Sequence, residues 1–247
     1  MTQSGEKIYG LIGRTLGHSF SRQYFTDKFT VNNIKASYVN FELPDISLFP
    51  QLIASNPSLC GLNVTIPYKE SIIPYIDYID DTAQSIGAIN TIKFSQGQLC
   101  GYNTDIIGFC NSIRTILKPY QNNALILGTG GASKAIAAGL KQLGINYIKV
   151  SRTPGAGQIS YDDLDADTID SHTIIINTTP LGTFPDVETA PPIPYQLLSP
   201  KHLCYDLVYN PARTAFLNNC QARGCTIKNG LEMLQLQAEA SWNIWNE

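Results

Sequence analysis

Asn123-Ala124-Leu125-Ile126-Leu127-Gly128-Thr129-Gly130-Gly131-Ala132-Ser133-Lys134 joins a five-residue apolar run to a glycine-rich turn and then to a helix continued by Ala135, Ala137, Ala138 and Leu140. A strand that turns on glycine directly into a helix opens a βαβ unit. Its glycines let the backbone approach a pyrophosphate, which then rests on free N–H groups at the positive end of the helix dipole. The turn departs from G-x-G-x-x-G, with Gly131 in the fourth position and Ser133 in the sixth. A glycine triplet alone can be a structural turn, but the strand before it and the helix after it are the context a dinucleotide site requires. Gly128, Thr129, Gly130, Gly131, Ala132 and Ser133 are therefore candidate cofactor-binding residues.

Downstream, the next strand ends Val150-Ser151-Arg152-Thr153. NAD sites commonly place a carboxylate about 20 residues after the motif, against the ribose 2′-hydroxyl, whereas NADP sites place Arg there. Here there is no carboxylate to repel a 2′-phosphate, and Arg152 can stack on adenine or bond the phosphate in a fork. The reading is NADP(H), with a solvated surface arginine as the alternative. Two more apolar runs follow at 173–176 and 203–207, and a helix spans about 230–245. The stretch 154–172 is polar, Gly-rich and acidic, so the helix expected after the second strand is shortened or absent.

Upstream, Ile8-Tyr9-Gly10-Leu11-Ile12, 36–41 and 59–65 read as strands, separated by helical stretches near 20–33 and 45–55. This alternation predicts a mostly parallel sheet covered on both faces, with strand carboxyl ends pointing into a crevice. A strand at 89–94 turns at Gln96-Gly97-Gln98, and a helix from about 104 to 117 stops before Pro119.

A chain of 247 residues with 17 Lys and Arg against 20 Asp and Glu has no basic run to neutralise phosphates, so nucleic acid is not expected as a partner. No window approaches the roughly 20 apolar residues that span a bilayer, and the first seven residues hold no apolar signal segment. A cytoplasmic protein with no membrane partner is the expectation. Six cysteines at 60, 100, 110, 204, 220 and 225 form no C-x-x-C pair, which predicts reduced core residues and no metal.

The first half carries polar residues at strand ends: Gly17-His18-Ser19-Phe20-Ser21, Asn63-Val64-Thr65-Ile66-Pro67-Tyr68-Lys69, Gly87-Ala88-Ile89-Asn90-Thr91 and Asn103-Thr104-Asp105. These hydroxyls, amides, one ammonium and one carboxylate suit a small hydroxyl-rich ligand. Structural roles compete at several positions. Ser19 and Ser21 can cap the following helix, Asp105 can sit at a helix N-terminus, His18 can be structural, and Trp242 and Trp245 can be packing residues.

Together the motifs H-S-F-S (18–21), N-V-T-I-P-Y-K (63–69), G-A-I-N-T (87–91), N-T-D (103–105), G-T-G-G-A-S (128–133), S-R-T (151–153), N-T-T-P-L-G (177–182), D-L-V-Y-N-P (206–211) and M-L-x-x-Q (233–237) resemble the shikimate dehydrogenase family across nearly the whole chain. The resemblance implies NADPH-dependent, reversible reduction of 3-dehydroshikimate to shikimate, within aromatic amino acid biosynthesis. It implies two α/β domains: a mostly parallel substrate-binding catalytic domain over 1–103 plus 230–247, and a Rossmann-like NADP-binding domain over 104–229. The C-terminal helix would return to the first domain, and the protein would be a monomer or a homodimer.

Position by position, the resemblance implies that Ser19, Ser21 and Tyr209 hold the substrate carboxylate, and that Thr65, Asn90 and Gln237 bond ring hydroxyls or the reacting oxygen. Asn63 would support the site, with Lys69 and Asp105 as the catalytic pair. Thr178, Leu207 and Val208 would line the cofactor cleft beside Ser151, Arg152 and Thr153, with Gly230 and Met233 toward the nicotinamide. A lysine can donate a proton directly, but acting as a base requires it to lose one, which a neighbouring carboxylate opposes. Lys69 is thus expected to orient and stabilise the reacting oxygen, with the proton moving through the pair.

The chain departs from the family pattern where Arg22 replaces a proline, where Glu232 replaces the glycine before Met233, and where no second basic residue follows Arg152. Rival readings are a quinate or dual quinate/shikimate dehydrogenase, another dehydrogenase on the same paired-domain plan, and a catalytically silent ligand sensor. The Ser19/Ser21 pair favours shikimate dehydrogenase over the other dehydrogenases, and the retained Lys69 and Asp105 favour it over the sensor.

Overall fold

The computed structural model describes residues 6–17 and 19–247. The structural reading of His18 lies outside the described residues. The chain forms two compact units, Met1–Thr104 with Ala238–Glu247, and Asp105–Gln237.

The first unit contains β1 (Lys7–Gly13), α1 (Phe20–Val31), β2 (Ala36–Glu42), α2 (Phe49–Ser55), β3 (Leu59–Val64), β4 (Tyr78–Ile79), α3 (Asp81–Ile86), β5 (Thr91–Ser95) and β6 (Gln98–Tyr102). They make one sheet in the order β2-β1-β3-β5-β6-β4. β1 is parallel to both neighbours and β4 to β6, while β5 runs antiparallel to β3 and β6. β1 is buried almost throughout because both faces are covered. Ile8 and Ile12 pack into one core layer, Tyr9 and Leu11 into the other. The β5–β6 turn places Gln96 and Gly97 at φ 51° and 80°. Positive φ at both central residues gives the primed turn that matches strand twist.

The strand expected at 89–94 begins two residues later, at Thr91. Its leading amides go elsewhere: Ile89 N donates to Lys69 O at 2.7 Å and Asn90 N to Tyr102 O at 3.0 Å. The second core layer is aromatic. Tyr9 stacks on Trp245 at 4.9 Å and Phe25 on Tyr38 at 4.7 Å, with Phe29 and Trp242 at the edges. Trp245 seats on Gly61, where a Cβ would strike the indole, and its Nε1 donates to Ile92 O at 3.0 Å. Both tryptophans are packing residues.

The second unit contains α4 (Asp105–Arg114), β7 (Asn123–Leu127), α5 (Gly131–Gln142), β8 (Asn146–Val150), β9 (Gln158–Ile159), α6 (Ala166–Ser171), β10 (Ile174–Asn177), β11 (Leu203–Asp206), α7 (Ala215–Gln221), β12 (Thr226–Lys228) and the first part of α8 (Leu231–Asn246). All pairings are parallel in the order β12-β11-β10-β7-β8-β9. The chain therefore leaves β7 in opposite directions to β8 and to β10, and the crevice at that switch, outside the carboxyl ends, is where such sheets bind ligands. Where a full helix is missing after β8, the chain supplies β9, one 3₁₀ turn and the six-residue α6.

Helix α4 stops at Arg114, earlier than the expected 117, because its end tightens: Ile116 N bonds Ile113 O at 3.0 Å. The division within α8 falls after Gln237 rather than at 230. Gly108 of α4 packs so closely on Met233 O that a Cβ would overlap it, which ties the first turns of α8 to the second unit. All six cysteines are free thiols, five of them buried. Among the described residues, no helix is long and apolar enough to cross a membrane, and no His, Cys, Asp and Glu cluster has metal-binding geometry.

Candidate active site

The turn after β7 is made by backbone. Gly128 sits at φ +107°, and a Cβ there would meet Thr178 Oγ1 at 2.9 Å. Gly130 is the N-cap of α5 and offers no side-chain bond to the first-turn amides; a Cβ on it would meet nothing within 4 Å. The Ser133 amide closes back on Gly130 O at 2.9 Å, and the amides of Gly131 and Ala132 before it face the position a ligand would take at the helix start. Ser133 does not face outward: its Oγ donates to Gly130 O at 2.7 Å and the residue is fully buried. It holds the turn, while Gly131 and Ala132 are half-exposed above it.

These residues open onto a pocket of ≈ 570 Å³, lined by Gly128, Thr129, Gly130, Ser151, Arg152, Thr153 and Thr178 from the expected set. Thr178 Oγ1 donates to Leu127 O at 2.8 Å, closing β10 onto the turn. Ser151 Oγ accepts from Thr153 N at 3.2 Å, shaping the loop and leaving Arg152 exposed. Val150, Tyr161, Thr179, Pro180, Leu181 and Pro192 complete the wall. Thr179, Pro180 and Leu181 lie within the quoted N-T-T-P-L-G motif, whereas Tyr161 and Pro192 went unflagged because they come from segments without periodicity.

At the neighbouring strand ends lies a buried network. Asp206 accepts from Asn177 Nδ2 at 2.9 Å, Val208 N at 3.0 Å and Thr214 Oγ1 at 2.6 Å. Asn177 Oδ1 in turn accepts from Thr179 N and Oγ1. Burial pushes the Asp206 carboxyl up to about 6, against the lowering by its three donors. Leu207, Val208 and Gly230 come together: Gly230 N donates to Val208 O at 3.2 Å and its α-carbon lies against Leu207 O. Met233 and Gln237 are buried, Gln237 Nε2 reaching Leu234 O at 3.0 Å, and Tyr209 is half-buried with its phenol raised by desolvation. Glu232, in the first turn of α8, pairs with Lys228 at the end of β12. Asp105 is buried in the first turn of α4, so the helix-dipole role is met there without excluding another.

In the first unit, the polar motifs converge as a web of side chains. Asn63, 4% exposed at the end of β3, accepts from Tyr38 OH at 2.8 Å and donates to Ser241 Oγ at 2.9 Å, with longer bonds to Asn90 O and Thr91 Oγ1. Asn90 accepts from Thr104 N at 2.7 Å and donates to Thr104 Oγ1 at 3.0 Å. Thr65 is anchored by its amide on Ile12 O at 2.8 Å. Lys69 is half-buried, and its carbonyl, bonded by Ile89 N, fastens the 63–69 segment to the 87–91 segment. Ser19 caps α1, its Oγ accepting from Arg22 N at 3.2 Å, and Ser21 is buried in the first turn. Tyr38 and Ser241 were missed as members of this web, since each lies far in sequence from its partners.

The family profile described as the shikimate dehydrogenase substrate binding domain matches residues 11–92. The shikimate dehydrogenase (NADP(+)) of Methanosphaera stadtmanae is 38% identical, over 96% of this chain and 90% of that protein. The chain belongs to the shikimate dehydrogenase family. Two crystal structures of shikimate dehydrogenases share its fold. One, in complex with NADP+, has a TM-score of 0.89 at 32% identity over 99% of this chain and 91% of the other. The second, from Thermus thermophilus with NADP(H) and shikimate, has a TM-score of 0.86 at 28% identity over 97% and 93%. Family membership therefore covers both units.

Proposed function

We propose that the chain is an NADP-dependent shikimate dehydrogenase that reversibly reduces 3-dehydroshikimate to shikimate, in the shikimate pathway of aromatic amino acid biosynthesis. The observation that carries this reading is the near full-length identity to an NADP(+) enzyme of that name, supported by a pocket that joins the glycine turn to Arg152 with no carboxylate at the end of β8. The donor set fits the cofactor. The leading amides of α5, at Gly131 and Ala132, suit the pyrophosphate, Gly128 lets the turn close against Thr178, and Arg152 suits the 2′-phosphate.

In this reading Asp105–Gln237 is the NADP-binding Rossmann-like domain, and Met1–Thr104 with Ala238–Glu247 is the substrate-binding catalytic domain. The bound cofactor supplies the hydride. Ser19, Ser21 and Tyr209 hold the substrate carboxylate, while Thr65, Asn90 and Gln237 bond its hydroxyls or the reacting oxygen. Asn63 holds that group in place through the web described above. Lys69 donates a hydrogen bond to the oxygen that gains charge, and the proton moves through Lys69 and Asp105 as one unit. Leu207, Val208, Gly230 and Met233 line the cofactor's reacting end. Six free thiols suit a reducing cytoplasm, where the enzyme works as a monomer or homodimer.

The test mixes purified protein with shikimate or quinate, each with NADP+ or NAD+, and follows reduced nicotinamide by absorbance. Fast reduction with shikimate and NADP+ alone is expected. Equal rates with quinate or NAD+ would overturn the specificity, and binding without turnover would make the chain a silent sensor.

A further inference from the structure

The segment that replaces a helix after β8 contains no Lys or Arg between 154 and 172, so it offers no second cation for the cofactor. It brings an aromatic ring instead. β9 lies beside β8 with Val150 paired to Ile159, and Ser151 N bonds Ile159 O at 2.9 Å. Past that pairing, Arg152 follows the end of β8 and Tyr161 opens the turn that follows β9. Both side chains line the pocket beside the glycine turn.

Tyr161 is held firmly. It opens a 3₁₀ turn fixed by a capping box in which Asp163 accepts from Ser160 N and Oγ at 2.7 Å each. The ring is half-buried against the core of the second unit, and the next apolar residue, Leu164, is 5% exposed within that core. Two nearby carboxylates are turned to local work, Asp163 to that box and Asp165 to the Thr168 amide at the start of α6, while Asp162 is exposed. The phenol lies within electrostatic reach of the Arg152 guanidinium.

The end of the second strand of such a unit marks the adenosine half of a dinucleotide. We propose that Tyr161 is a further cofactor-binding residue, whose ring face receives the adenine next to Arg152. An aromatic face suits any purine and is indifferent to the 2′ substituent, so Tyr161 gives affinity and Arg152 gives selectivity. The inference rests on the NADP reading above.

The experiment titrates 2′,5′-ADP and 5′-ADP calorimetrically into wild type, Tyr161→Ala, Tyr161→Leu and Tyr161→Phe. Tyr161→Ala should weaken both nucleotides about tenfold, the size expected for one lost base stack. Tyr161→Leu keeps bulk on the core without the ring and should weaken both similarly, while Tyr161→Phe restores both. The proposal is overturned if the Ala and Leu variants bind like wild type, or if Tyr161→Phe loses 2′,5′-ADP alone, which would assign the phenol to the phosphate. If wild type itself binds neither nucleotide, the cofactor reading fails first; if it binds both and the variants do too, only the role of Tyr161 fails.

Discussion

The polar web of the first unit and the glycine turn of the second are built by opposite means. Around Asn63 and Asn90 the work is done by side chains that bond one another out of water, from β2, β3, β5 and α8. Around Gly128 and Gly130 it is done by main chain, and what matters is the side chain that is absent. Truncation should therefore damage the first region, and a single added methyl the second.

Lys69→Ala should produce the largest effect, a fall in kcat of about 10²- to 10⁴-fold with NADPH affinity unchanged, read by steady-state kinetics beside a fluorescence titration. Near-normal turnover would remove Lys69 from the chemistry. Next comes Asp206, a fully buried carboxylate at the end of β11. Its folded value lies above its ordinary 3.8, at about 6, so its contribution to stability is full below about 4 and is lost as pH rises through 6. Urea unfolding of Asp206→Asn should lack that loss, roughly 3 kcal/mol between pH 4 and 7, and parallel curves for the two proteins would refute it. Asn63→Ala removes the bonds to Tyr38 OH and Ser241 Oγ and should cost about 2 kcal/mol of stability by the same method, although Ser241 Oγ keeps Thr91 and Thr104 as partners. Unchanged stability there would mean that the web is not what holds the first unit's polar residues. The smallest change is Gly128→Ala: strain at φ +107° and the close Thr178 hydroxyl should raise the NADPH KM about tenfold, leaving the shikimate KM alone. A shift in both constants would break the contrast between the regions.

The same contrast decides what could be read in advance. β7, its turn and α5 are contiguous, and an apolar run, glycines and alanines each state their physical role locally. The Gln96-Gly97 hairpin and the C-terminal helix are equally local. By contrast β4, β9 and β12 have two or three residues each, too few to show any period, and neighbours recruit them. The antiparallel placement of β5 follows from pairing with β3, nearly 30 residues away. In the first unit the polar strand ends marked Asn63 and Asn90 as candidates, but their roles came only from the motif resemblance, because their partners are as distant as Ser241. Tyr161 stood in a stretch whose acidity hid it until β9 brought that stretch back beside β8.

Trp242 and Trp245 close the aromatic layer begun by Tyr9, Phe25 and Phe29, yet they are synthesised after every residue of the second unit. On the ribosome the second unit is whole before the first has its last layer. The nascent first unit must wait with Gly61 and the face of Tyr9 uncovered, which makes it the part of the newborn chain most in need of shelter.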